Sequence, residues 1–118
     1  MKVLIADDDQ TIRALLTDVL ADLGHAVVAA ANGAEAVELA AREQPDALIL
    51  DFLMPKLSGL DALKAMRQQG LGMPAVLLTA ISDSSIRDLD DFEAPAAILE
   101  KPFKRRDIER ALERAARP

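Results

Sequence analysis

Five polar residues in this chain could form one chemical site, because each stands where a short apolar run of the sequence ends. They are Asp7, Asp8, Asp51, Thr79 and Lys101. Short apolar runs that stop at turn signals are typical of strands buried on both faces of a parallel sheet. Each residue alone has an ordinary explanation, as an acid that starts a turn, a β-branched strand residue or a surface lysine. Their shared placement at strand ends favours a functional site.

The chemistry of such a site follows from the crowding of its charges. Two carboxylates about 4 Å apart repel each other by about 4 kcal/mol at an effective dielectric constant of about 20, so three acids need cations nearby. Lys101 supplies one positive charge. Mg²⁺ could supply the rest, since it suits a site with few carboxylates and leaves positions for water and a phosphoryl oxygen. The residue types therefore predict a phosphoryl-transfer site in which Asp51 is the nucleophile and becomes an aspartyl phosphate.

The elements that must position these residues alternate along the chain. Strands are predicted at residues 3–6, 25–30, 47–50, 75–79 and 96–100, and a helical pattern follows each strand. The first helix has apolar residues at spacings of three and four from Ile12 to Leu23, and the fourth is a short, weakly amphipathic helix at about residues 83–92. Alternating strands and helices indicate a parallel sheet with helices on both faces.

The predicted fold is therefore α/β, a single domain over residues 1–118 made of five βα units. Its five-stranded, doubly wound parallel sheet has the expected order 2-1-3-4-5, the flavodoxin-like arrangement, with a ligand crevice at the carboxyl ends of strands 1 and 3. Asp7, Asp8 and Asp51 lie at those two ends, and Thr79 and Lys101 reach the same edge from strands 4 and 5.

Composition excludes several classes of function. The chain has no cysteine, so disulfides, zinc–thiolate sites and thiol nucleophiles are excluded. Its net charge of −6 argues against direct nucleic-acid or membrane binding. With no apolar run of about 18 residues and no secretion-signal pattern, the protein is expected to be cytoplasmic.

The sequence resembles the receiver domain of bacterial two-component response regulators over its whole length. The matching segments are Val3-Leu4-Ile5-Ala6-Asp7-Asp8, Asn32-Gly33, Leu50-Asp51-Phe52-Leu53-Met54-Pro55, Gly59, Leu78-Thr79-Ala80 and Lys101-Pro102-Phe103. Each segment alone is a weak signal. Together they are specific, because they occur in order and in register with the predicted strand ends.

The resemblance implies a role for each matching residue. Asp51 would accept a phosphoryl group from a phosphohistidine on a histidine kinase or histidine phosphotransfer protein. Asp8, Asp51 and the backbone carbonyl of Leu53 would bind Mg²⁺ directly, with Asp7 acting largely through metal-bound water. Thr79 and Lys101 would contact phosphoryl oxygens, and the Lys101-Pro102 bond is expected to be cis. Phosphorylation would shift the surface of the fourth helix, fifth strand and fifth helix, and the chain would catalyse only its own phosphorylation and dephosphorylation.

The sequence also departs from the family pattern. Ile98 stands where receivers usually carry Tyr or Phe, so signalling through a rotating aromatic side chain is not expected. Leu53 and Ile81 are apolar where polar side chains often assist hydrolysis, which predicts a longer-lived phosphoryl group. An acidic block at residues 83–93 precedes a basic last helix, so a phosphorylation-dependent homodimer through these helices is a further hypothesis.

Two other functions fit parts of the sequence. Asp7-Asp8-Asp9-Gln10-Thr11 also matches the D-x-D-x-T motif of haloacid-dehalogenase-type phosphatases, with Asp7 as nucleophile and Asp9 as acid. That family needs a further acidic motif after the lysine, and Asp51 would have no role in it. Asp9 is instead predicted to cap the first helix. The second alternative is a receiver-like binding module that is never phosphorylated.

Overall fold

The computed structural model describes residues 1–79 and 97–116, which form five strands and four helices. The strands are β1 (Lys2–Ala6), β2 (Ala26–Ala30), β3 (Ala47–Asp51), β4 (Ala75–Thr79) and β5 (Ala97–Glu100); the helices are α1 (Gln10–Asp22), α2 (Gly33–Glu43), α3 (Gly59–Gln68) and α4 (Arg105–Ala116). The predicted helix at residues 83–92, together with Ala80 and Ile81, lies outside the described residues. The helix labelled α4 is thus the fifth helix of the sequence prediction.

The five strands form one parallel sheet in the order β2-β1-β3-β4-β5, which confirms the predicted topology. Ala6 pairs with Leu50, and Asp51 pairs with Leu78. Thr79 pairs with Glu100, directly before Lys101. The strand ends that carry the predicted site residues therefore lie side by side at the carboxyl edge.

Two apolar layers cover the sheet, one on each face, because successive strand residues point to opposite sides. Val3, Ile5 and Ile49 pack with α1 and α4 on one face. Leu4 and Leu48 pack with α2 and α3 on the other face. The central strands β1, β3 and β4 are buried on both sides, as their continuous apolar sequences predict.

Side chains before three of the helices fix where those helices begin. Asp9 accepts a hydrogen bond from the Thr11 N–H at 2.8 Å, which confirms its prediction as the cap of α1. Asn32 caps α2 and Ser58 caps α3 in the same way. All three capped ends lie after the carboxyl ends of strands, so the caps fix the loops that surround the crevice.

The apolar stripe of α1 differs from the prediction at Leu15. Leu16 and Leu20 are fully buried, whereas Leu15 is 46% exposed. The spacing of apolar residues covers more of the helix circumference than the sheet can bury, and Leu15 lies at the edge of that stripe. In the described ranges, no helix has the length and apolar character needed to span a bilayer.

Candidate functional site

The carboxyl edge of the sheet brings together the predicted acidic residues. Asp7 follows β1, Asp8 is the next residue, and Asp51 ends β3. One carboxylate oxygen from each lies within 4.8 Å of the others. Asp7 is fully buried and Asp51 is only 6% exposed, whereas Asp8 faces solvent. Two of the three carboxylates are therefore largely removed from water.

Lys101 reaches this acid cluster from the loop after β5. Its Nζ atom lies 3.1 Å from Asp51 Oδ1 and 3.2 Å from Asp7 Oδ2. The Lys101-Pro102 peptide bond is cis, as predicted. When all three acids are ionised, the three carboxylates and the one ammonium group carry a net charge of about −2. The structure therefore shows the crowding of negative charge that the sequence predicts.

The burial of Asp51 changes its acidity. Removal from water, followed by repulsion from Asp7, raises the pKa of Asp51 from 3.8 to about 6, although the hydrogen bond and charge of Lys101 act in the opposite direction. Burial disfavours the charged form of Lys101, but the contacts with Asp51 and Asp7 outweigh it and raise its pKa above 10.5. The ammonium group thus stays protonated beside Asp51, and Asp51 is ionised above pH 6.

The loop between β1 and α1 holds Asp7 in a fixed orientation. Its Oδ1 accepts a hydrogen bond from the Asp9 N–H at 2.9 Å, while Oδ2 faces Lys101. Arg13, on the first turns of α1, donates from Nη1 to the backbone carbonyl of Asp7 at 2.8 Å. Both carboxylate oxygens of Asp7 are therefore already engaged, and Asp8 next to it is the more accessible ligand.

Thr79 and Leu53 complete the set of predicted site residues. Thr79 ends β4 and is 2% exposed, and its carbonyl accepts a hydrogen bond from the Lys101 N–H at 2.8 Å. This bond ties the ends of β4 and β5 together. Leu53 lies in the β3–α3 loop (residues 52–58), two residues after Asp51, and its side chain is 64% exposed.

The donor set fits Mg²⁺ by its chemistry. It consists of the carboxylates of Asp7, Asp8 and Asp51, which are oxygen ligands of the kind that this hard cation prefers. A divalent ion would also balance the two negative charges that Lys101 leaves uncompensated. The arrangement can therefore hold a divalent cation beside a nucleophilic carboxylate.

An apolar cavity of about 310 Å³ adjoins the site on the α1 side. It is lined by Ile12, Leu15, Lys101, Pro102 and Phe103. Lys101 belongs to both the acid cluster and this cavity. The exposed Leu15 side chain thus belongs to an apolar surface that is continuous with the acid cluster through Lys101.

Sequence reasoning assigned no role to two residues that the structure places near the site. The Arg13 side chain supports the Asp7 backbone, and Gly33, quoted only as part of a motif, lies against the β3–α3 loop. No spacing rule links Arg13 to a carbonyl six residues earlier. A glycine at the start of a helix can indicate that another backbone segment approaches closely, and this signal at Gly33 could have predicted its contact with the loop.

Comparison with known sequences shows the family. The sequence profile of the response regulator receiver domain matches residues 3–113, so the chain belongs to the response regulator receiver domain family. Response regulator MprA of Mycobacterium leprae is 38% identical over the whole chain, which covers 53% of that protein. The alkaline phosphatase synthesis transcriptional regulatory protein PhoP of Bacillus subtilis is 36% identical over 91% of the chain and 45% of the relative. The chain thus spans about half the length of these relatives.

Solved structures agree with this membership. The chemotaxis protein CheY4 of Vibrio cholerae superimposes with a TM-score of 0.88 at 32% identity, covering 97% of both chains. The receiver domain of a sensor histidine kinase of Pseudomonas aeruginosa gives a TM-score of 0.88 at 31% identity, covering 98% of this chain and 96% of that one. That structure has a magnesium ion coordinated in its active-site cleft. The chain is a two-component signalling domain whose site fits the role of phosphoacceptor.

Proposed function

We propose that this chain accepts a phosphoryl group on Asp51 from a phosphohistidine of a histidine kinase or histidine phosphotransfer protein. One observation carries the proposal: a buried carboxylate ends the central strand β3, 3.1 Å from the Lys101 ammonium and beside two further acids. A nucleophilic carboxylate needs an ionised oxygen and cations that accept the charge of the incoming group. The geometry supports both requirements above pH 6.

Each site residue has a distinct task in this proposal. Asp51 attacks the phosphorus atom, and the phosphorus–nitrogen bond to the donor histidine breaks as the new phosphorus–oxygen bond forms. Lys101 then moves from a carboxylate partner to a phosphoryl oxygen, and its 3.1 Å contact with Asp51 supports this role. The hydroxyl of Thr79, at the end of the neighbouring strand, donates to a second phosphoryl oxygen.

Mg²⁺ is the cofactor that the acid cluster would hold. Asp8, Asp51 and the carbonyl of Leu53 would be its direct protein ligands, and Asp7 would act largely through water because both of its oxygens already have partners. When bound, the ion would supply positive charge that stabilises the transferring phosphoryl group. The magnesium ion in the Pseudomonas aeruginosa receiver domain supports this choice of metal.

The apolar cavity next to Lys101 is the surface where we propose that the donor protein docks. A donor histidine must approach Asp51 closely, so its own protein must contact the rim of the crevice. The exposed Leu15 and the half-buried Ile12 and Phe103 supply apolar contact area on that rim. A helix that presents a phosphohistidine beside apolar side chains fits this surface.

The proposed output is a change in the surface that includes β5 and the last helix. The acyl phosphate on Asp51 would carry about −1.5 to −2 charges, against −1 for the carboxylate that it replaces, and the added negative charge would draw Lys101 and Thr79 inward. Ile98 is 43% exposed on β5, so the apolar side chain at this position is available to a partner. We also propose that phosphorylation promotes a homodimer and that the protein is cytoplasmic. The only reactions that we propose it catalyses are its own phosphorylation and dephosphorylation.

The experiment that tests the acceptor is phosphorylation with acetyl phosphate and Mg²⁺, followed by intact mass and peptide mapping. Modification at Asp51 that disappears in Asp51→Asn is the expected result. Asp9→Asn is the matched control, because asparagine caps a helix as well as aspartate does and Asp9 has no role in phosphoryl transfer here. A haloacid-dehalogenase-type phosphatase would instead lose its labelling in Asp7→Asn and keep it in Asp51→Asn. Absence of any labelling would favour a binding module that is never phosphorylated.

A further inference from the structure

Gly33 begins α2 and lies against the backbone of the β3–α3 loop. A Cβ atom at this position would be 2.0 Å from the carbonyl oxygen of Leu57 and 2.7 Å from its Cβ. Real Cβ atoms essentially never approach such atoms within 3.0 Å. Any larger residue would therefore force α2 and the loop apart by at least about 1 Å, which is the difference between the 3.0 Å limit and the 2.0 Å distance to the Leu57 oxygen.

The β3–α3 loop, which Gly33 contacts, is held by hydrogen bonds and close backbone contacts. Its first residue, Phe52, donates its N–H to Leu78 of β4 at 2.8 Å and accepts a hydrogen bond from the Gly59 N–H at 2.9 Å. Gly59 is equally crowded, since a Cβ there would lie 2.2 Å from the carbonyl oxygen of Asp51. The loop is therefore held at its start by β4 and α3 and near its end by α2, so a displacement at Leu57 acts on the loop residues between these two points.

Leu53 lies within this same loop, four residues before Leu57. Mg²⁺ requires near-ideal octahedral geometry with oxygen ligands at about 2.0–2.1 Å. A displacement of about 1 Å is half of that bond length, so a loop moved this far would no longer present its carbonyl to an ion held by Asp8 and Asp51.

We propose that Gly33 is a positioning residue for the metal and phosphoryl site. Because Gly33 has no Cβ, α2 can pack closely against the β3–α3 loop and so position the Leu53 carbonyl. The inference rests on the proposed function, because it concerns the Mg²⁺ site. It goes beyond that function, since Gly33 has no side chain and acts from a different element of the fold.

The test compares Gly33→Ala with Gly72→Ala. A Cβ on Gly72 would meet nothing within 4 Å, and its φ lies outside the left-handed region, so the control adds the same methyl group without a contact. Mg²⁺ affinity is measured by isothermal titration calorimetry on the full chain, and the free energy of unfolding is measured separately by urea in EDTA. We expect Gly33→Ala to bind Mg²⁺ about 10- to 100-fold more weakly, the usual effect of changing a residue that orients a metal ligand without binding the metal, and Gly72→Ala to match the wild type.

The outcomes separate this inference from the proposed function. A wild type that binds no Mg²⁺ would overturn the proposed function itself. Wild-type affinity in a folded Gly33→Ala would overturn only the role of Gly33, even if that variant were less stable. If Gly33→Ala is unfolded in buffer, all three proteins are titrated in the same concentrated sucrose medium, which favours the folded state. Loss of affinity in the refolded variant would support the inference, and retained affinity would contradict it.

Discussion

Replacing Asp51 by Asn should make this protein more stable, although it removes the residue that the proposed function needs most. Ionised Asp51 is a cost to the folded state, because burial and the charge of Asp7 raise its pKa from 3.8 to about 6. At about 1.4 kcal/mol per pKa unit, that cost is about 3 kcal/mol once the group is fully ionised. Asparagine has a similar shape and carries no charge, so it removes the cost.

The sign of the pH dependence follows from the direction of this pKa change. Between pH 3.8 and 6 the folded state binds more protons at Asp51 than the unfolded state does, so the stability of the wild type decreases as pH rises through this window. The cost is complete above the folded pKa and absent below the unfolded one. The Asn variant lacks this dependence, and its advantage should be about 3 kcal/mol at pH 8 and close to zero at pH 3.5.

The assay is urea unfolding of both proteins in EDTA at several pH values, with thermal unfolding as a second readout. A gain of about 3 kcal/mol corresponds to about 10 °C in Tm for a domain of this size. Asp18→Asn is the matched control, since Asp18 is an exposed carboxylate on α1 and its removal should change stability by less than about 0.5 kcal/mol. Saturating Mg²⁺ should reduce the difference, because the ion stabilises the wild type. An Asn variant that is no more stable at pH 8, or equally favoured at pH 3.5, would refute the argument from charge crowding.

Four further variants test separate parts of the structure. Lys101→Met removes the ammonium beside Asp51, so the pKa of Asp51 should rise further above 6, as carboxyl-carbon NMR titration would show; an unchanged pKa would contradict the contact. Leu53→Asn should shorten the lifetime of the phosphoryl group, measured as its decay after removal of the donor, because a polar side chain beside the site can assist water; equal decay in wild type and variant would show that Leu53 does not limit hydrolysis. Leu15→Gln should slow phosphotransfer from a partner phosphohistidine and leave labelling by acetyl phosphate unchanged, and equal slowing of both would place Leu15 in the site rather than in docking. Gln44→Gly should raise the free energy of unfolding by about 0.5–1 kcal/mol, because Gln44 ends α2 in the left-handed region at φ 48°, and a lower urea midpoint would refute this.

The sequence by itself determined the elements of this fold and the edge at which its site lies. Continuous apolar runs marked the buried strands, and residues such as Asp51 and Thr79 marked the ends of those strands. The alternation of strands with helical patterns then implied the parallel sheet, since a right-handed connection between strands leaves few other topologies. These signals are local, so one sequence is enough to detect them.

The tertiary structure decided which groups meet at that edge and how closely. Lys101 and Asp7 are 94 residues apart in the chain, and only the sheet order places their side chains 3.2 Å from each other. The exposure of Leu15, the support of Asp7 by Arg13 and the close approach of Gly33 to Leu57 likewise depend on how helices pack against loops. A periodic pattern specifies the face of an element that is buried, but not the distance between atoms on different elements, because that distance is set by packing of the whole domain.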